Sequence, residues 1–142
     1  RKEHPNALNV FIGPCIAKRW EAENAPEIDY VMTFEELGAI LAGLGIDIMK
    51  QEPRVLDHPA APTARNYAKS CGVTEAVLTE MSQKNPEFEK MNFKLDPKSI
   101  NGIDKKTAKL LKLYAMGKMP GNFLEVMSCG GGCVGGPCSL IK

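Results

Sequence analysis

Two short apolar runs, far apart in the chain, each end in a turn that carries cysteine, and this pairing limits the fold more than any other feature. Leu8 to Ile12 (Leu-Asn-Val-Phe-Ile) closes on Gly13-Pro14 and delivers Cys15. Phe123 to Met127 runs straight into Cys129-Gly130-Gly131-Gly132-Cys133-Val134-Gly135-Gly136-Pro137-Cys138. Apolar runs of this length bounded by Gly and Pro read as buried strands. Strand and helix patterns alternate between them, which implies an α/β fold, a mainly parallel sheet flanked by helices. Ligands in such sheets collect beyond the carboxyl ends of the strands. Cys15 and the later cysteines are therefore expected to converge on one side of one sheet.

The intervening segments fill out that alternation. A short helix is expected over Ala17 to Glu23 and a strand over Ile28 to Met32. Thr33 and Glu36 form a T-x-x-E capping box that starts a helix running to about Leu44, stopped by Gly43 and Gly45. Glu52 to Pro62 holds three prolines with His58 and reads as a loop. A helix follows over Thr74 to Gln83, ended by Asn85-Pro86, and Phe93-Lys94-Leu95 is a short strand candidate. Asp104 caps a helix from Lys105 to Met116, with Ala108, Leu111 and Ala115 on one face and Lys105, Lys106, Lys109 and Lys112 turned to solvent. No repeat or heptad run competes. With 142 residues and 44% hydrophobic side chains, a single domain over residues 1–142 is expected.

Charge narrows the function classes. Eighteen Lys and Arg against seventeen Asp and Glu leave a formal net charge of +1, with no basic stripe for nucleic acid or an anionic membrane. No apolar stretch approaches the roughly 18 to 20 residues that span a bilayer, and Arg1-Lys2-Glu3-His4 is no secretory signal. A soluble, cytoplasmic protein is the expectation. The sequence opens without Met at the approach to a strand, as a piece of a longer chain would.

Five cysteines without a secretion signal point to ligand chemistry before disulfides. Cys129, Cys133 and Cys138 stand at C-x3-C-x4-C spacing, and the glycines between them remove the Cβ atoms that would keep a backbone from wrapping a metal centre. Thiolates select soft metals, so zinc and iron–sulfur clusters lead. Structural zinc sites usually pair two close-spaced knuckles, and this chain has one cluster plus Cys15. Spacing alone does not choose between them. Cys71, a lone thiol among Ala, Ser and Gly, reads as a small buried core residue.

Phe11-Ile12-Gly13-Pro14-Cys15-Ile16-Ala17-Lys18-Arg19-Trp20-Glu21 resembles the P-C-x-x-K-x-x-E motif of the iron-only (FeFe) hydrogenases. Glu125-Val126-Met127-Ser128-Cys129-Gly130-Gly131-Gly132-Cys133 resembles the E-x-M-x-C-x-x-x-C motif of the same family. Asp29 to Leu37 and Gly72 to Ala76 also resemble family segments in the same order. The resemblance covers nearly the whole chain and implies the second half of the catalytic, hydrogen-cluster domain.

It implies a four-iron four-sulfur cluster joined through a thiolate to a di-iron centre that carries carbon monoxide, cyanide and a dithiolate bridge. Cys15, Cys129 and Cys133 would be three of the four ligands, with Cys133 the bridging thiolate. Lys18 would donate to an iron-bound cyanide, Glu21 would lie on the proton path, and Met127 would pack against the di-iron site. Read without the resemblance, Lys18, Arg19 and Glu21 are an ordinary solvated helix face and Met127 a core residue at a strand end. The fourth family ligand sits in an upstream T-S-C-C-P motif that this sequence lacks. The upstream half of the domain and a ferredoxin-type electron carrier or iron–sulfur domain are the implied partners. An isolated fragment is expected to carry no intact cluster and no activity. Gly13 stands where the family usually has Met, and Gly135-Gly136-Pro137-Cys138 replaces the common G-G-G-Q-P, changes that resemble divergent or sensory branches. The leading expectation is a fragment of a hydrogenase that reversibly reduces protons to dihydrogen. Two others stand beside it: a non-catalytic iron–sulfur protein acting in redox or hydrogen sensing or in cluster assembly, and a self-contained thiolate site in which Cys138 joins Cys15, Cys129 and Cys133.

Overall fold

The computed structural model describes residues 4–55, 57–84 and 94–140. They divide into two compact units, one built from Arg1–Leu56 with Gly136–Lys142 and the other from Asp57–Gly135.

The first unit is a βαβ arrangement extended by a helix: β1 (Val10–Gly13), α1 (Ala17–Glu23), β2 (Tyr30–Thr33), α2 (Phe34–Gly43) and a 3-10 turn at Ile48–Lys50. β1 and β2 pair in parallel, Val10 opposite Tyr30 and Gly13 opposite Thr33, so α1 is the crossover that parallel pairing requires. Asn9 sets the register at the amino end. Its amide donates to the Asp29 carboxylate at 2.8 Å, its side chain donates to the Glu27 carbonyl at 2.8 Å, and its carbonyl accepts from the Asp29 and Tyr30 amides. These bonds start β1 at Val10, two residues later than the apolar run begins. Ile28 donates to the Ala25 carbonyl in a turn, which delays β2 to Tyr30. At the carboxyl end Thr33 closes β2 and opens α2 through the expected capping box: its hydroxyl accepts from the Glu36 amide at 3.2 Å, and the Glu36 carboxylate accepts from the Thr33 amide at 2.8 Å.

The second unit holds α3 (Pro62–Asn66), α4 (Gly72–Lys84), β3 (Pro97–Asn101), α5 (Lys105–Ala115), β4 (Phe123–Met127) and a 3-10 turn at Cys133–Gly135. β3 and β4 are parallel, Pro97 opposite Phe123 and Asn101 opposite Met127, with α5 as their crossover. Asp104 caps α5 as expected, its carboxylate accepting from the Lys106 and Thr107 amides at 2.9 and 2.7 Å. α3 begins on Pro62, the last residue of the expected loop, where a missing N–H costs nothing.

Two local expectations change. Lys94 and Leu95 are not in a strand, and Phe93 lies outside the described residues, as does the Asn85-Pro86 helix stop. The strand is instead Pro97–Asn101, whose Pro, Lys, Ser and Asn are weak strand formers. It forms because it pairs with β4 along its length and inserts Ile100, 3% exposed, into the unit's interior. Pro97 takes the first position, where a strand tolerates proline.

Parallel pairing with flanking helices is the α/β architecture the sequence implies. Among the described residues it is distributed over two two-stranded sheets, β1-β2 and β3-β4, so the two strands that lead into cysteine-bearing turns belong to different sheets. Among the described residues the buried apolar side chains are Ile100 and Cys138, while Trp20, Leu8, Leu44 and Tyr30 are all at least 60% exposed. No described helix is long and apolar enough to cross a membrane.

Candidate thiolate site

In the first unit Cys15 lies in the short turn between β1 and α1, half-buried, one residue before the N-cap of α1. Gly13-Pro14 ends the strand and α1 starts within four residues, which places Lys18 and Glu21 one turn apart on that helix. Their side chains form an ion pair, and the Lys18 ammonium lies 5.9 Å from the centre of the Phe11 ring. Arg19 pairs with Glu36 at the start of α2. The Thr33 amide first, and then the Arg19 guanidinium, hold the Glu36 carboxyl below its ordinary value. Cys138 is buried in this same unit, and its amide donates to the Pro14 carbonyl at 3.3 Å. The third cysteine of the C-x3-C-x4-C run is thus packed against the Cys15 turn, and it is Gly136, not the motif's last cysteine, at which the chain enters this unit.

In the second unit β4 delivers Met127 and Cys129, both half-buried, and then exposed Cys133 at the start of a 3-10 turn. The loop between the two cysteines is held on both sides. From one side the Ser70 amide donates to the Gly131 carbonyl at 3.0 Å, the Val134 amide donates to the Ala68 carbonyl at 3.1 Å, and Lys69 bridges Gly132 antiparallel. From the other, the Asn101 side-chain oxygen accepts from the Gly131 amide at 2.7 Å, while Gly102 and Ile103 donate to the Met127 and Ser128 carbonyls. Gly131 and Gly132 have φ of +84° and +90°. A Cβ on Gly132 would sit 2.6 Å from both the Ala68 carbonyl oxygen and the Ser70 nitrogen, so this glycine serves the close approach of residues 68–70. At Gly130 and Gly131 a Cβ would meet nothing, which leaves that side of the loop open.

Two residues differ from their sequence expectation. Cys71 is exposed, not buried: it forms the turn before α4 with φ +68°, and its thiol reaches the Ser99 hydroxyl at 3.5 Å. Glu125, which the sequence shows only as the first letter of a motif, is 5% exposed. Its carboxylate accepts from the Cys71 amide at 2.7 Å, the Thr74 amide at 2.8 Å and the Thr74 hydroxyl at 2.6 Å. A carboxylate inside an otherwise apolar strand is the signal that could have marked it.

The expected site residues therefore divide between the units: Cys15, Lys18 and Glu21 in the first, Met127, Cys129 and Cys133 in the second. All five cysteines are free thiols, and among the described residues no three His, Cys, Asp or Glu are gathered as a metal site. In donor type the thiols fit an iron–sulfur cluster, with two of them already on one structured loop.

Parallel βαβ units with free thiols just past the carboxyl ends of β1 and β4 define a thiolate-bearing α/β protein. The family described as "Iron only hydrogenase large subunit, C-terminal domain" matches residues 1–137. The chain belongs to that family. It is 26% identical to iron hydrogenase 1 of Clostridium pasteurianum over 166 aligned positions, covering 92% of this chain and 28% of that protein. To the NADP-reducing hydrogenase subunit HndD of Solidesulfovibrio fructosivorans it is also 26% identical, covering 89% of this chain and 27% of the relative. The chain thus spans little more than a quarter of these relatives. Its fold is similar to that of the solved FeFe-hydrogenase HydA(deltaEFG), with a TM-score of 0.64, 21% identity, and coverage of 95% of this chain and 49% of that one. A variant of an FeFe-hydrogenase from Chlamydomonas reinhardtii matches with a TM-score of 0.62, 21% identity and the same coverage.

Proposed function

We propose that this chain is the C-terminal half of the catalytic domain of an iron-only hydrogenase, the protein part that supplies three of the four thiolates of its cluster. Cys15, Cys129 and Cys133 would be those ligands, and Cys133, the most open of the three, would be the thiolate shared with the di-iron centre. The bound clusters would supply electron transfer and the proton–dihydrogen chemistry. The observation that carries this reading is the 129–133 loop: two soft donors on a backbone already held by its neighbours, directly past a parallel strand, in a chain matched by the family over residues 1–137.

The remaining residues act around that centre. With the clusters bound, Lys18 would donate a charge-assisted hydrogen bond to an iron-bound cyanide, Glu21 would hold and pass a proton, and Met127 would pack its thioether beside the di-iron centre. Lys18 and Glu21 are paired with each other here, so each role requires the pair to open. The exposed Trp20, Leu8 and Tyr30 belong under the upstream half of the same domain, which also supplies the fourth ligand. Electrons would arrive from a ferredoxin-type carrier or iron–sulfur domain.

The test is anaerobic reconstitution of the chain with iron, sulfide and a small-molecule thiol in place of the fourth ligand, read by iron and sulfide content and by electron paramagnetic resonance after reduction. Cys15→Ser, Cys129→Ser and Cys133→Ser should each abolish the signal, and Cys71→Ser and Cys138→Ser should keep it. A signal that needs Cys138 without added thiol would replace this assignment with a self-contained four-thiolate site.

A further inference from the structure

The loop that carries Cys129 and Cys133 gains its shape from hydrogen bonds made by this chain alone, and those bonds lead back to two side chains outside it. On one side Asn101, the last residue of β3, places its carboxamide oxygen 2.7 Å from the Gly131 amide. On the other, residues 68–70 bond to Gly131, Gly132 and Val134 through the backbone. That segment is itself fixed one residue later, where the Cys71 amide donates to buried Glu125 at 2.7 Å. Glu125 stands on β4, two residues before Met127 and four before Cys129, and its second oxygen takes both the amide and the hydroxyl of Thr74 in the first turn of α4. Both carboxylate oxygens are used by these three donors. The strand that leads into the thiol-bearing loop and the segment that braces that loop are thus tied by a single carboxylate.

We propose that Glu125 and Asn101 are positioning residues that preorganise the 129–133 loop before any cofactor binds, Glu125 acting through residues 68–71 and Asn101 acting through Gly131. The proposal rests on Cys129 and Cys133 being ligands. Its physical content is that a multidentate thiolate site gains when its donors are ordered in advance, since their ordering cost is met on folding. A carboxamide in place of the carboxylate presents an NH2 group toward an amide or hydroxyl donor, so Glu125→Gln breaks at least one of the three bonds while nearly preserving volume.

Amide hydrogen exchange of the cofactor-free full chain, read by mass spectrometry, tests this. Asn101→Ala and Glu125→Gln should each speed exchange in residues 128–135 by about fivefold or more, the effect of losing one or two net hydrogen bonds on local opening. Peptides from α5 and from β1 and α1 should keep their wild-type rates. Asn101→Asp, which retains the acceptor oxygen, should restore protection of the loop. Alkylation of Cys129 and Cys133 by iodoacetamide should accelerate in the Ala and Gln variants, with Cys15 unchanged. Should Glu125→Gln fail to fold, Thr74→Val removes one of its three donors and should give a smaller change in the same peptide. Unchanged exchange in residues 128–135, or an equal rise across α5 and the loop, overturns the proposal. If the loop loosens as stated while reconstituted iron does not depend on Cys129 or Cys133, the ligand assignment fails and the brace stands.

Discussion

Thr33 joins the end of β2 to the start of α2, and removing its hydroxyl should have a cost that can be separated from that of its methyl. The residue is 4% exposed. Its hydroxyl accepts from the Glu36 amide and donates to the Glu36 carboxylate, both at 3.2 Å. Loss of such an N-cap typically costs about 1 kcal/mol. The buried methyl contributes about 0.8 kcal/mol more. Thr33→Ser should therefore lose about 0.8 kcal/mol and Thr33→Ala about 2 kcal/mol, the difference between them being the cap. With a urea slope of about 2 kcal/mol per molar, the midpoints should fall by roughly 0.4 M and 1 M at unchanged slope. The consequence reaches the candidate site, because Glu36 anchors Arg19 on the helix that carries Lys18 and Glu21. Equal midpoints for the Ser and Ala variants would show that the capping box contributes nothing to stability.

Acid should weaken the two helix caps. Glu36 is held below its ordinary value chiefly by the Thr33 amide, and Asp104 chiefly by the Thr107 amide, so both bind protons less readily folded than unfolded. Their contribution is fully present above the ordinary carboxylate range and is lost as pH falls through the lowered folded values. Carboxyl carbon NMR titration should place both midpoints below those of an unfolded peptide; ordinary midpoints would contradict the caps. At the loop, Gly132→Ala forces a Cβ to within 2.6 Å of the 68–70 backbone at positive φ, whereas Gly131→Ala meets open space. The first should cost about 3 kcal/mol and the second about 1 kcal/mol in urea unfolding, and equal losses would mean that residues 68–70 do not brace the loop.

Much of the fold was written locally. α1 occupies the expected residues, α2 and α5 start at caps visible as T-x-x-E and as an Asp before a lysine-rich amphipathic run, and β4 matches its apolar stretch. These elements depend on side chains within a few residues of one another, so spacing reveals them. β3 was not legible, because Pro97-Lys98-Ser99-Ile100-Asn101 has little strand preference and is a strand only through its pairing with β4. Cys71 was misread for the same reason: its exposure follows from a turn that Glu125, 54 residues away, holds by the backbone. The cysteine motifs and their family were determined by residue identity and order. Their distribution was decided by tertiary structure, which pairs β1 with β2 and β4 with β3, sends Cys138 to the Pro14 turn, and braces Cys129 and Cys133 between residues 68–71 and Asn101. Backbone hydrogen bonds carry that information, and because every residue but proline offers the same donor and acceptor, no pattern of side chains announces which segments will exchange them.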